Sequence, residues 1–107
     1  MNNYDPNNSK NFSKLKKIEK EILLKWIVET IKPAKNYCHQ ISSYGLKQLF
    51  EENPGKHFYI NNGTFKGAMK KASFRTKDEK DPQAINWKYR IEWKLLKKLQ
   101  KEIYGRP

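Results

Sequence analysis

Apolar residues recur every three or four positions in four stretches of this chain, and in a fifth they alternate with basic ones. From about Phe12 to Ile31, Leu15, Ile18, Ile22 and Trp26, with Leu23 and Ile27 one strip over, draw a broad helical face. Ser13 is a candidate N-cap. Pro33 ends this helix, because a proline pushes the residue before it out of the α region. Tyr44, Leu46, Leu49 and Phe50 mark a second helix, opening at Ser42 or Ser43 and stopped by the turn residues Asn53-Pro54-Gly55. Lys56-His57-Phe58-Tyr59-Ile60 reads as a short strand. A third helix spans Asn62–Ser73, capped by Asn62 or Thr64. Its Phe65, Ala68, Met69 and Ala72 share one stripe at i, i+3, i+4 and i+7, and Lys66, Gly67, Lys70 and Lys71 take the opposite side. Trp87-Lys88-Tyr89-Arg90-Ile91 has the period of a half-buried strand. A last helix, from about Glu92, presents Leu95, Leu96, Leu99 and Ile103 and is closed by Gly105.

Three helices followed by a two-stranded wing outline a winged-helix or helix-turn-helix domain, mainly α with a small β-hairpin, carrying an added C-terminal helix. The Trp87–Ile91 strand is expected to pair with Phe58–Ile60 or with a segment near Phe74, the charged run Arg75–Pro82 forming the wing tip. About ten residues separate the second and third helices, more than the usual three- or four-residue turn. Residues 1–11, rich in Asn, read as a disordered tail, and 12–107 as one domain. Its core is expected to draw on Trp26, Phe50, Phe58, Phe65, Phe74, Trp87 and Trp93.

Charge changes the picture. The 107 residues include 23 Lys and Arg against 11 Asp and Glu, a formal charge of +12. Such a chain repels itself unless it meets a polyanion, and nucleic acid is the common one for a small protein. Between Glu52 and Asp78 there is no acid, so Lys66, Lys70, Lys71, Arg75 and Lys77 have no carboxylate near them in sequence. With Lys88 and Arg90 on the strand, they are the candidate phosphate contacts on single- or double-stranded DNA. Tyr59 is a candidate for base stacking, as are Trp87 and Tyr89 unless they pack in the core. The basic helix face holds neither Arg nor Gln to pair bidentately with a base, so weak sequence preference is expected.

Other chemistries find little support. Cys38 and His39, with His57 elsewhere, fall short of the four ligands zinc usually takes, so no metal and no cofactor is expected. No nucleophile motif or phosphate loop is present, and no enzymatic activity is expected. A lone cysteine and an N-terminus unlike a signal peptide favour a cytoplasmic setting, without a membrane partner.

Ser42-Ser43-Tyr44-Gly45-Leu46-Lys47, Phe58-Tyr59-Ile60-Asn61-Asn62-Gly63, Phe65-Lys66-Gly67-Ala68-Met69 and Asn86-Trp87 together resemble small accessory proteins of phages, pathogenicity islands and cassette elements of Gram-positive bacteria. The resemblance runs from about Ile31 to Ile91 and implies an accessory of DNA replication or priming, working beside a polymerase or helicase of a mobile element. A different reading is a protein-binding adaptor, or an inhibitor of such an enzyme or of a host nuclease, docking through apolar stripes on the end helices. Those same stripes are a candidate homodimer seam.

Overall fold

The computed structural model describes residues 4–53 and 58–105. Four α-helices carry the fold: α1 (Lys17–Thr30), α2 (Ser43–Glu52), α3 (Asn62–Lys71) and α4 (Lys94–Tyr104). Two short 3₁₀ turns, Ser9–Lys14 and Lys77–Lys80, complete the order.

The expected β-hairpin is absent among the described residues, and with it the winged-helix assignment. The alternation in Trp87–Ile91 is real in its burial: Trp87, Tyr89 and Ile91 point into the core, and Arg90 lies outside. Its neighbour, however, is the connector between α1 and α2. Ala34 donates to the Arg90 carbonyl, Glu92 to that of Lys32, Cys38 to that of Tyr89 and Ser43 to that of Trp87. Only the antiparallel bridge Pro33–Ile91 results. Pro33 has no N–H to continue a ladder, so the pairing stays a series of single contacts. Phe58–Ile60 forms no strand either, because the Ile60 N–H is taken by the Glu51 carboxylate at 2.9 Å. Pro54, Gly55, Lys56 and His57, assigned to a turn and a strand, lie outside the described residues.

Local chemistry sets the helix ends. Glu19 accepts the Lys16 N–H at 2.9 Å and closes the first turn of α1. At α3 the cap is Asn61 and neither Asn62 nor Thr64: the Asn61 side chain accepts from both the Thr64 N–H and the Thr64 hydroxyl, each at 2.8 Å. The C-terminus of α3 is a Schellman motif: Phe74 N–H bonds to Met69 and Ser73 N–H to Lys70, with Ser73 at φ 72°.

The core sits between α1, α2 and α3. Leu23, Trp26 and Ile27 of α1, with Ile31 just past its end, cluster with Leu46, Leu49 and Phe50 of α2 and Phe65, Ala68 and Met69 of α3. Trp26 meets Phe50 and Phe65 edge-on at 5.5 and 6.4 Å, and Phe50 meets Phe58 at 5.4 Å. Each such pair adds roughly 0.5–1.5 kcal/mol beyond its buried area. The inward stripe of α1 is rotated from the one expected, which leaves Ile18 largely and Ile22 partly exposed. A buried ion pair, Lys47–Glu51 at 2.9 Å, closes α2 against the Ile60 backbone.

The N-terminal segment, expected to fray up to Asn11, lies along α3. Gly63 donates to the Pro6 carbonyl at 2.8 Å, and Asn11 is buried beside Asn61. A Cβ at Gly63 would collide with Asn8, and one at Gly67 with the Ser9 carbonyl oxygen. The two glycines, one helical turn apart, form the groove that takes this strap.

Candidate nucleic-acid interface

This strap covers the side of α3 that the lysine pattern assigned to solvent. From Asn62 through Met69 the helix is buried on all sides. Asn62 is a polar hub: it accepts the Ser43 hydroxyl at 2.8 Å and donates toward Asn7, the Ile85 carbonyl and Asn86. Ser43 in turn accepts the Trp87 N–H at 3.0 Å.

Lys66 belongs to the same interior and is only 3% exposed. Its Nζ donates to the Ile85 carbonyl at 2.9 Å and stands 4.4 Å from the centre of the Trp87 ring. Burial holds its ammonium below the usual lysine range, and the Asp5 charge partly offsets this. Lys70 is exposed but paired with Glu79 at 2.7 Å. Lys71 is exposed beyond it. The third helix therefore presents no uncompensated row of lysines, because the strap and an acid from the 75–82 loop occupy its outer side.

Other predicted residues do come together. Arg75, Lys77 and Arg90 line one open cavity of about 640 Å³, with Tyr37, Thr76, Glu79 and Lys80. Tyr37 is its centre. The Lys77 Nζ lies 5.2 Å and the Arg90 guanidinium 4.9 Å from the middle of its ring. The Tyr37 oxygen accepts the Lys77 N–H at 3.1 Å. That bond lowers the phenol's pKa, with the Arg90 and Lys77 charges acting in the same direction.

The loop is shaped by its acids. Asp78 accepts the Lys88 N–H at 2.9 Å, Asp81 accepts the Gln83 N–H at 2.9 Å, and Glu79 is held by Lys70. Thr76 caps the turn by accepting from Asp78, and its hydroxyl donates to the Lys88 carbonyl. With the carboxylates engaged on backbone and on Lys70, the bases of the loop line the cavity.

Lys88 is half-buried, its backbone part of this scaffold, and it does not line the cavity. Tyr59 is 90% exposed and stands apart from it. Trp87 and Tyr89 are core residues. Sequence reasoning missed Tyr37 and Lys80. Tyr37 sits in a connector without periodicity, and Lys80 stands among acids that mask it; neither carries a local signal.

Comparison of the chain with protein-family profiles, curated proteins and solved structures found no match. Among the described residues no helix is long and apolar enough to cross a membrane.

Proposed function

We propose that the protein is a non-catalytic nucleic-acid-binding accessory whose contact surface is the cationic cavity around Tyr37. One observation carries this reading: Arg75, Lys77, Lys80 and Arg90 converge on one concavity, and the single carboxylate lining it, Glu79, is already held by Lys70. Arginine presents a planar fork that takes phosphate bidentately, so Arg75 and Arg90 suit backbone contacts. No face of α3 is free to enter a groove, which supports phosphate recognition over base reading, and hence weak sequence preference. The resemblance of residues 31–91 to mobile-element accessory proteins supports a cytoplasmic role in replication or priming, beside a polymerase or helicase.

The test is fluorescence anisotropy with labelled single- and double-stranded oligonucleotides. Arg75→Ala, Lys77→Ala and Arg90→Ala together are expected to weaken binding at least ~30-fold, since each charge-assisted bond contributes about 1.5–3 kcal/mol. Unchanged affinity in a variant with a native circular-dichroism spectrum would place the contact surface elsewhere.

A second reading, docking on a protein partner, is favoured by the exposed Ile18 and Ile22, one turn apart on α1 beside a shallow hollow lined by Ile22, Lys25, Trp26 and Glu29. An Ile18→Asp variant that still binds nucleic acid but no longer co-purifies with a polymerase or helicase would separate the two faces.

A further inference from the structure

We infer that the Tyr37 cavity is a phosphomonoester pocket, taking the terminal phosphate of a nucleic-acid strand in preference to the phosphodiesters along its length. The inference rests on the nucleic-acid reading above and narrows it to the strand end.

Three observations lead there. The cations are gathered, not strung out: Lys77 and Arg90 both bear on one ring, and Arg75 and Lys80 line the same hollow. A strand bound along its length needs charges in a row that follows the backbone, whereas converging charges suit one compact, multiply charged group.

The second observation is the match of charge. Four bases and one engaged acid leave an excess of positive charge at a single point. A phosphomonoester carries about −1.5 to −2 near neutral pH, against about −1 for a phosphodiester, and offers three terminal oxygens.

The third concerns what lies next door. Glu79 also lines a second cavity, of about 440 Å³, together with Asp5 and Asp81. The ammonium in that wall belongs to the buried Lys66, which is committed to Ile85 and Trp87. A strand running through the Tyr37 hollow and onward past the Lys70-held Glu79 would bring its next phosphates against Asp5 and Asp81. Like charges so placed repel. On that side the carboxylates of Asp5 and Asp81 disfavour a polyanion, as suits a pocket for a strand end.

The experiment compares one labelled single strand of about twelve nucleotides bearing a 5′-phosphate, a 3′-phosphate or neither, by anisotropy on the full chain at about 0.15 M salt. An adenosine monophosphate competitor is added in a separate arm. A terminal phosphate at one end is expected to tighten binding at least tenfold, and Arg75→Ala with Arg90→Ala to abolish that difference. Equal affinity for phosphorylated and unphosphorylated strands would overturn the strand-end assignment while leaving the nucleic-acid reading standing. A free nucleotide that competes as well as the phosphorylated strand would support the phosphomonoester pocket and overturn the nucleic-acid reading. No binding in any arm would overturn both.

Discussion

Lys66 shows why a single side chain can mislead a reading of the chain and still be tested cleanly. Its ammonium is buried with a carbonyl and an indole face as partners, so removing the charge and inverting it have different consequences. Lys66→Met keeps the volume, and the Ile85 carbonyl retains the Asn62 amide as donor. Stability is expected to stay within about 1 kcal/mol or to rise, as when buried charges give way to apolar isosteres. Lys66→Glu places a carboxylate against a carbonyl oxygen and is expected to cost about 3–5 kcal/mol in urea unfolding. Because the folded-state pKa is lowered from 10.5, the unfolded chain binds more protons in the interval below 10.5. The penalty of burying the ammonium is thus full below the lowered value and lifts as pH rises toward 10.5. Asp5, Glu79 and Asp81 line the same cavity. The difference in urea midpoint between wild type and Lys66→Met should therefore move in favour of wild type on the alkaline side. A constant difference would mean that the lysine is solvated.

The elements were read from the sequence with unequal success. Helices α2, α3 and α4 lie within about two residues of where the 3.6-residue period put them, whereas α1 opens at Lys17 and not near Phe12 or Ser13, a 3₁₀ turn taking Ser9–Lys14; Phe65, Ala68 and Met69 are buried in α3 as expected. What covers the other side was not legible, since the strap arrives from more than fifty residues away. Gly63 and Gly67 were nonetheless the sign of it: glycines one turn apart mark a close approach as readily as a bland polar face. Gly67→Ala is expected to cost about 1–3 kcal/mol, the usual penalty of overpacking, because its Cβ would meet the Ser9 carbonyl and stand 2.5 Å from Phe12 Cβ. Ser73→Gly should act oppositely and stabilise by about 1 kcal/mol, relieving a left-handed serine. Thermal melts of both variants check the pair. The period-two run at 87–91 was likewise read correctly for its faces and wrongly for its partner. Alternation encodes which side is buried, and Pro33, in the neighbouring segment, decides that no sheet follows. Of the candidate site, Arg75, Lys77 and Arg90 were visible as bases, but their meeting around Tyr37 depends on how the 75–82 loop folds back. Asp78 and Asp81 do that folding through single backbone bonds, and Glu79 through Lys70.

At the scale of the whole molecule, the +12 charge acts on folding and on binding with opposite salt dependence. Added salt screens self-repulsion, so the melting temperature of the free protein is expected to rise between low and physiological ionic strength. Affinity for a strand is expected to fall over the same range, with a log–log slope of about −2 to −3 if three or four phosphates are met. A slope several times steeper would bring in the lysines of α1 and α4. Glu79→Gln, which removes the one acid from the cavity and frees Lys70, should tighten binding. The strap beneath α3 has one more consequence, for the order in which the chain acquires structure during synthesis. Pro6 and Asn7 find partners in Gly63 and Asn62, so they leave the ribosome more than fifty residues ahead of the groups they hold, and this contact cannot form until α3 has been made. Stabilisation of α3 by its glycine groove is postponed to the same moment, and translation must expose this part of the protein unfolded before it can be clasped shut.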